Sequence, residues 1–155
     1  MTAQRPSRSA SFRDLVFCLA LAPLGFAWGA CFGAALPDGL VRTLVLALLA
    51  YPILEEIVFR RGVQSGLRTC AESCGACPPQ WPATLSVTAT ALAFGALHAA
   101  ARGPLVGATV IVPALAIGAL YERHRSLALC IVVHAGWNAA YLGGAWWGDP
   151  GSRVR

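Results

Sequence analysis

The sequence predicts an all-α fold, a polytopic transmembrane helical bundle of about five spans, in a single domain over residues 1–155. Three observations predict it. Hydrophobic residues make up 57% of the chain and charged residues 12%, where a soluble domain carries about 25% charged; mean hydropathy is +0.61. The apolar residues fall in runs near the ~20 residues that cross a hydrocarbon core of ~30 Å as helix. Those runs lack the period-two alternation of a barrel strand, which leaves helices to satisfy the backbone in lipid.

The N-terminal stretch "MTAQRPSRSASFRD" carries Arg5, Arg8 and Arg13 like a signal peptide. The uncharged run after it, 15–36, is longer than a normal h-region of ~7–15 residues, so an uncleaved first span is expected. The second span is expected at about 40–60, the third at 81–100, the fourth at 103–121 and the fifth at 126–147. Pro23, Pro52 and Pro113 fall inside these runs and are expected to bend them. The abundant Gly and Ala allow close helix packing. The longest stretch outside the spans is 62–80, and no repeat or linker is visible.

All twelve basic residues are Arg, and net charge is +5. The arginines lie between apolar runs and not on one polar face, which argues for loops flanking spans and against nucleic acid. With the N-terminus in the cytoplasm, Arg5, Arg8, Arg13, Arg60, Arg61, Arg68, Arg123 and Arg125 fall inside, and Arg42, Arg102, Arg153 and Arg155 outside. That bias predicts N-in and C-out, with Trp146 and Trp147 at the outer interface. Of the six cysteines, Cys18, Cys31 and Cys130 lie in apolar runs and are expected as small buried residues. Cys70, Cys74 and Cys77 form a loop cluster, "CAESCGAC", short of a four-ligand zinc site.

Three short stretches break the apolar pattern: "EEIVFR" (55–60), "FGALH" (94–98) and "HAGWN" (134–138). A charge near a helix centre costs at least ~2.5–3.5 kcal/mol in lipid, and such residues normally face a shared cavity. Glu56 and Arg60 are spaced i,i+4 and can pair. His134 and Asn138 share that spacing and project together. Glu55 and Glu56 point about 100° apart, so one can face a reaction centre while Arg60 holds the other ionised. Each motif also has a plain structural alternative. The first could be a helix end with snorkelling charges, and His98, like the pair His134 and Asn138, could be interhelical packing. His124 is expected as an interfacial loop residue. The co-occurrence of three motifs of catalytic type favours chemistry.

In order and spacing the three motifs resemble those of the CPBP intramembrane proteases, the superfamily of CAAX-processing and bacteriocin-processing enzymes, whose pattern is EExxxR, FxxxH and HxxxN or HxxxD. The resemblance spans about 40–142 and implies a glutamic-type intramembrane endopeptidase without a cofactor. Glu55 would be the catalytic glutamate, with Glu56 and Arg60 completing the first motif. Glu55 with His98 would activate water, and His134 with Asn138 would stabilise the oxyanion. The substrate would be a membrane-anchored protein or peptide, and the location a bacterial inner membrane. The length resembles short bacterial members that process C-terminal sorting signals. Peptide hydrolysis needs a base poised near working pH and preorganised donors in a dry site, which these residue types can supply.

The two carboxylates must then lie near mid-membrane. The second span is expected to run past Arg60 towards Arg68, and the backbone at 98–103 to dip inward as non-helical chain. Three other functions compete. A zinc metallopeptidase would use His98, His134 and a glutamate, though no HExxH helix is present. A non-catalytic immunity or scaffold protein would bind a partner's membrane helix. A proton-coupled transporter would show an inverted repeat.

Overall fold

The computed structural model describes residues 8–33, 39–74, 78 and 80–149. Arg5, Cys77, Arg153 and Arg155 lie outside the described residues. Within them every regular element is helical, as expected. Helix α1 spans Arg8–Ala20 and α2 spans Ala22–Phe32. The break between them at Leu21 lies beside Pro23, which occupies the first turn of α2 and has no N–H to continue the α1 ladder. Together they provide one candidate span, Phe12–Phe32.

Helix α3 runs unbroken over 40–73 and alternates in winding. It is α-helical at Leu40–Val45, π-helical at Leu46–Ala50, α-helical at Tyr51–Glu56, π-helical at Ile57–Gln64 and α-helical at Ser65–Ser73. Pro52 accounts for the first π stretch. Its ring would crowd the carbonyl four residues back, and the wider turn, in which Tyr51 N–H bonds Leu46 O, relieves the clash.

Helix α4 (Trp81–Arg102), α5 (Pro104–His124) and α6 (Leu127–Gly148) are the other three candidate spans. Pro82 and Pro104 sit in the first turns of α4 and α5, where the fixed φ suits a helix start. Gly103, at φ +97°, makes the turn between them. Four long apolar helices plus α3 make a multi-pass helical bundle consistent with about five spans.

Two expectations are corrected. The stretch after Gly62 is not a loop, because α3 continues to Ser73, with Cys70 on its last turns and Cys74 as its C-cap. That continuation is the extension past Arg60 that mid-membrane carboxylates require. The backbone at 98–102 does not leave the helix; α4 holds its winding through Arg102, and of the stretch 98–103 only Gly103 departs from it.

The residues form two compact units. The unit of Glu55–Cys130 has a core of Phe59, Ala91, Phe94 and Ala114, with Val110, Ile111 and Leu115 packed on it. Its α4–α5 hairpin closes through glycine. A Cβ on Gly107 would stand 2.4 Å from Ala99 Cβ and 2.6 Å from Gly95 O. The other unit joins α1, α2 and the first part of α3 to 131–149. There Gly144 lets α6 approach α2, where a Cβ would fall 1.9 Å from Phe26 O.

Candidate active site

The adjacent carboxylates of α3 have unequal surroundings. Glu56 is 1% exposed and accepts a hydrogen bond from Arg60 Nε at 2.9 Å; Arg60 is also 1% exposed. Glu55, on the neighbouring face, is only half-buried. The pairing expected from i,i+4 spacing is therefore present. Arg60 Nη1 also donates to Gln64 Oε1 at 3.2 Å. Gln64 is 0% exposed, and its Nε2 donates to Gly118 O at 3.0 Å and to Glu122 Oε1 at 2.9 Å. Glu122 Oε2 further accepts from Arg68 Nη1 and from Arg125 Nη2, the latter at 2.6 Å. Burial, then the charge of Arg68, lowers the pKa of Arg125, which lies in the α5–α6 connection.

Winding explains why Glu56, Arg60 and Gln64 stack. In an α-helix residues four apart are about 40° out of line, at 100° per residue. A π turn holds more residues, so each turns the chain by less, and residues four apart come closer to one column. Gln64 and Glu122 escaped the sequence analysis, one placed in a loop and the other in the interfacial "YERHR". The signal available was the second step of four, from Arg60 to Gln64 after Glu56 to Arg60.

The second motif sits on α4 against the first. Phe59 meets Phe94 edge-on with ring centres 5.0 Å apart, and Phe94 lies 4.3 Å from the His98 ring. His98 Nδ1 is 3.0 Å from Phe94 O. A carbonyl only accepts, so Nδ1 carries the hydrogen, and Nε2 of the neutral ring keeps its lone pair. Thr90, one turn before Phe94, is fully buried, and its hydroxyl has no hydrogen-bond partner among the described residues.

The third motif belongs to the other unit. His134 is 9% exposed. Asn138 Nδ2 donates to Ala47 O at 2.8 Å, inside the first π stretch, where the shifted register redirects backbone carbonyls. Trp137 Nε1 donates to Cys18 O at 2.8 Å, near the α1–α2 break. The motif thus braces two other helices of its own unit. That unit also holds an apolar cleft of about 270 Å³ lined by Leu40, Leu44, Leu48, Leu142 and Trp146 among others.

Three lesser expectations change. His124 is not a loop residue; it ends α5 and is 8% exposed. Cys31 is exposed, whereas Cys18 and Cys130 are buried as expected. Cys70 is exposed on the last turns of α3 and Cys74 is exposed at its C-cap. Among the described residues no three His, Cys, Asp or Glu side chains group as metal ligands.

No curated protein and no solved structure matches the chain. The sequence pattern of the Rce1-like type II CAAX prenyl endopeptidases does match, over residues 37–140, and that interval contains all three motifs and each of their six polar residues. With most of its length inside that match, the chain belongs to the Rce1-like family of type II CAAX prenyl endopeptidases and is a membrane peptidase of the CAAX type.

Proposed function

We propose that the protein hydrolyses a peptide bond in or near a membrane-anchored segment of a protein substrate, using a glutamate-activated water and no metal. The observation that carries this is the division between the two carboxylates. Glu56 is locked to Arg60 in a fully buried pair, and Glu55, one residue away, is half-buried on a different face. A base must reach its substrate's water, and a carboxylate held by a guanidinium is ill suited to take up a proton. Glu55 removes a proton from the water as its oxygen adds to the scissile carbonyl carbon. His98 Nε2 accepts a hydrogen bond from that water. N–H groups of His134 and Asn138 stabilise the oxyanion, Asn138 through the amide hydrogen not given to Ala47. The proton then passes to the leaving nitrogen as the C–N bond breaks. The enzyme resides in a bacterial inner membrane with its N-terminus in the cytoplasm.

Co-expression with candidate membrane-anchored substrates tests the chemistry. Product mass should show a single endoproteolytic cut with the wild type, unchanged by strong chelators, and none with Glu55→Gln. Cleavage that survives Glu55→Gln, or that chelators abolish, sinks this mechanism; the second outcome would move His98 and His134 to zinc binding.

A further inference from the structure

We propose that Gln64 and Glu122 are positioning residues for the peptidase reaction, holding Arg60, and through it Glu56 and the catalytic turn of α3, in register. The inference rests on the assignment of Glu55 as the base. Four side chains form one hydrogen-bonded line, Glu56–Arg60–Gln64–Glu122, with donor–acceptor distances of 2.9, 3.2 and 2.9 Å. Arg60, Gln64 and Glu56 are the three largest fully buried side chains among the described residues.

The Gln64 amide can sit only one way round. Its oxygen faces a guanidinium, and its nitrogen faces a carbonyl and a carboxylate. Flipped, it would meet like with like at all three contacts. The amide therefore conveys the negative charge of Glu122 on α5 to the positive charge of Arg60 on α3. A separate observation shows that α5 makes room for this link. A Cβ on Gly118 would stand 3.3 Å from both Arg60 Nη1 and Gln64 Oε1, and 3.0 Å from Val87 Cγ1. Beyond Glu122, Arg68 and Arg125 fix its second oxygen. The catalytic turn is thereby tied to the end of α5 by charge and not by apolar packing alone.

The test compares wild type, Glu55→Gln, Gln64→Leu, Gln64→Glu and Glu122→Gln, each purified in detergent, with kcat and KM expressed per folded molecule. Gln64→Leu should lower kcat by roughly 10- to 100-fold, the worth of a lost hydrogen bond to a charged group, with KM unchanged. Gln64→Glu reports through pH. Full burial and the charge of Glu122 raise the pKa of the new carboxyl, against the lowering pull of Arg60, already paired with Glu56, and of Arg68 and Arg125, already paired with Glu122. While protonated it reproduces the amide, accepting from Arg60 and donating to Glu122; as pH rises it ionises and repels Glu122. Its kcat should approach wild type at acidic pH and fall at least tenfold further than wild type as pH rises. Glu122→Gln should give a smaller kcat loss, with KM again unchanged.

Wild-type kcat and pH profile in all three Gln64 and Glu122 variants, with Glu55→Gln inactive, would overturn the positioning role and leave the mechanism standing. Activity retained in Glu55→Gln would overturn the mechanism itself. If Gln64→Leu does not accumulate as folded protein, the pH profile of Gln64→Glu decides: an additional fall supports the proposal and a wild-type profile overturns it.

Discussion

Glu56 and Glu55 are neighbours in sequence with opposite expected sensitivities. Glu56→Gln removes the charge opposing a guanidinium that is 1% exposed. Breaking such a pair costs roughly 3–5 kcal/mol when fully enclosed, so thermal unfolding in detergent should show a large loss and membrane abundance should fall. Glu55→Gln should leave both near wild type. Normal abundance without turnover in Glu56→Gln, alongside a nearly active Glu55→Gln, would exchange the two roles. Asn138 carries two duties that one variant separates. Its bond to Ala47 O is an interhelical contact, and such contacts average ~0.6 kcal/mol in membranes. Its other N–H is the proposed oxyanion donor, whose loss typically costs 100- to 1000-fold in turnover. Asn138→Ala should therefore unfold only slightly more easily yet lose two to three orders of magnitude in single-turnover cleavage, about 2.7–4 kcal/mol of transition-state stabilisation. Cleavage at the wild-type rate would leave Asn138 as a brace only.

The packing of α4 on α5 depends on the absence of a side chain at Gly107. With a Cβ on Gly107 2.4 Å from Ala99 Cβ, Gly107→Ala overpacks a helix contact that carries His98 on one partner. Overpacking costs typically ~1–3 kcal/mol, and Gly107→Val should cost more. The melting temperature should drop in that order, and activity should fall with it as His98 is displaced. Element by element, the spans were legible in the sequence because length and hydropathy are enough to mark a helix in lipid, as α4, α5 and α6 show. The two π stretches of α3 were not, because a change from i−4 to i−5 hydrogen bonding alters no composition, and residue periodicity over five to eight positions is too short to register it. The site divided the same way. The Glu56–Arg60 pair followed from spacing alone. Gln64 and Glu122 stand 58 positions apart, and only the packing of α5 on α3 brings them together. The αL turn at Arg125, φ 50°, was hidden too; a non-glycine residue is unusual there, and its ion pair with Glu122 and its place over the Tyr121 ring at 5.5 Å hold it.

At the scale of the whole molecule, polarity is arranged in the reverse of a water-soluble domain. The largest enclosed side chains are charged or amidic, and Phe12, Phe17, Leu24, Val41 and Val112 are each more than 60% exposed. In lipid an apolar exterior carries no penalty, and helix association relies on close packing and hydrogen bonds. The orientation proposed for this bundle places Cys70 and Cys74, both exposed, on the cytoplasmic side. A membrane-impermeant maleimide should leave them unmodified in intact spheroplasts and alkylate them in inverted vesicles, read by mass; modification in spheroplasts would reverse the topology. The arrangement has a further consequence for protein engineering. Since the inner contacts are hydrogen bonds and glycine-mediated approaches, which do not draw on the surrounding hydrocarbon, recolouring the outer surface with charged residues is separable in principle from the peptidase machinery. A water-soluble version of this enzyme would be sought by rewriting the lipid-facing skin at positions such as Phe17, Leu24 and Val112 while leaving the line from Glu56 to Glu122 untouched.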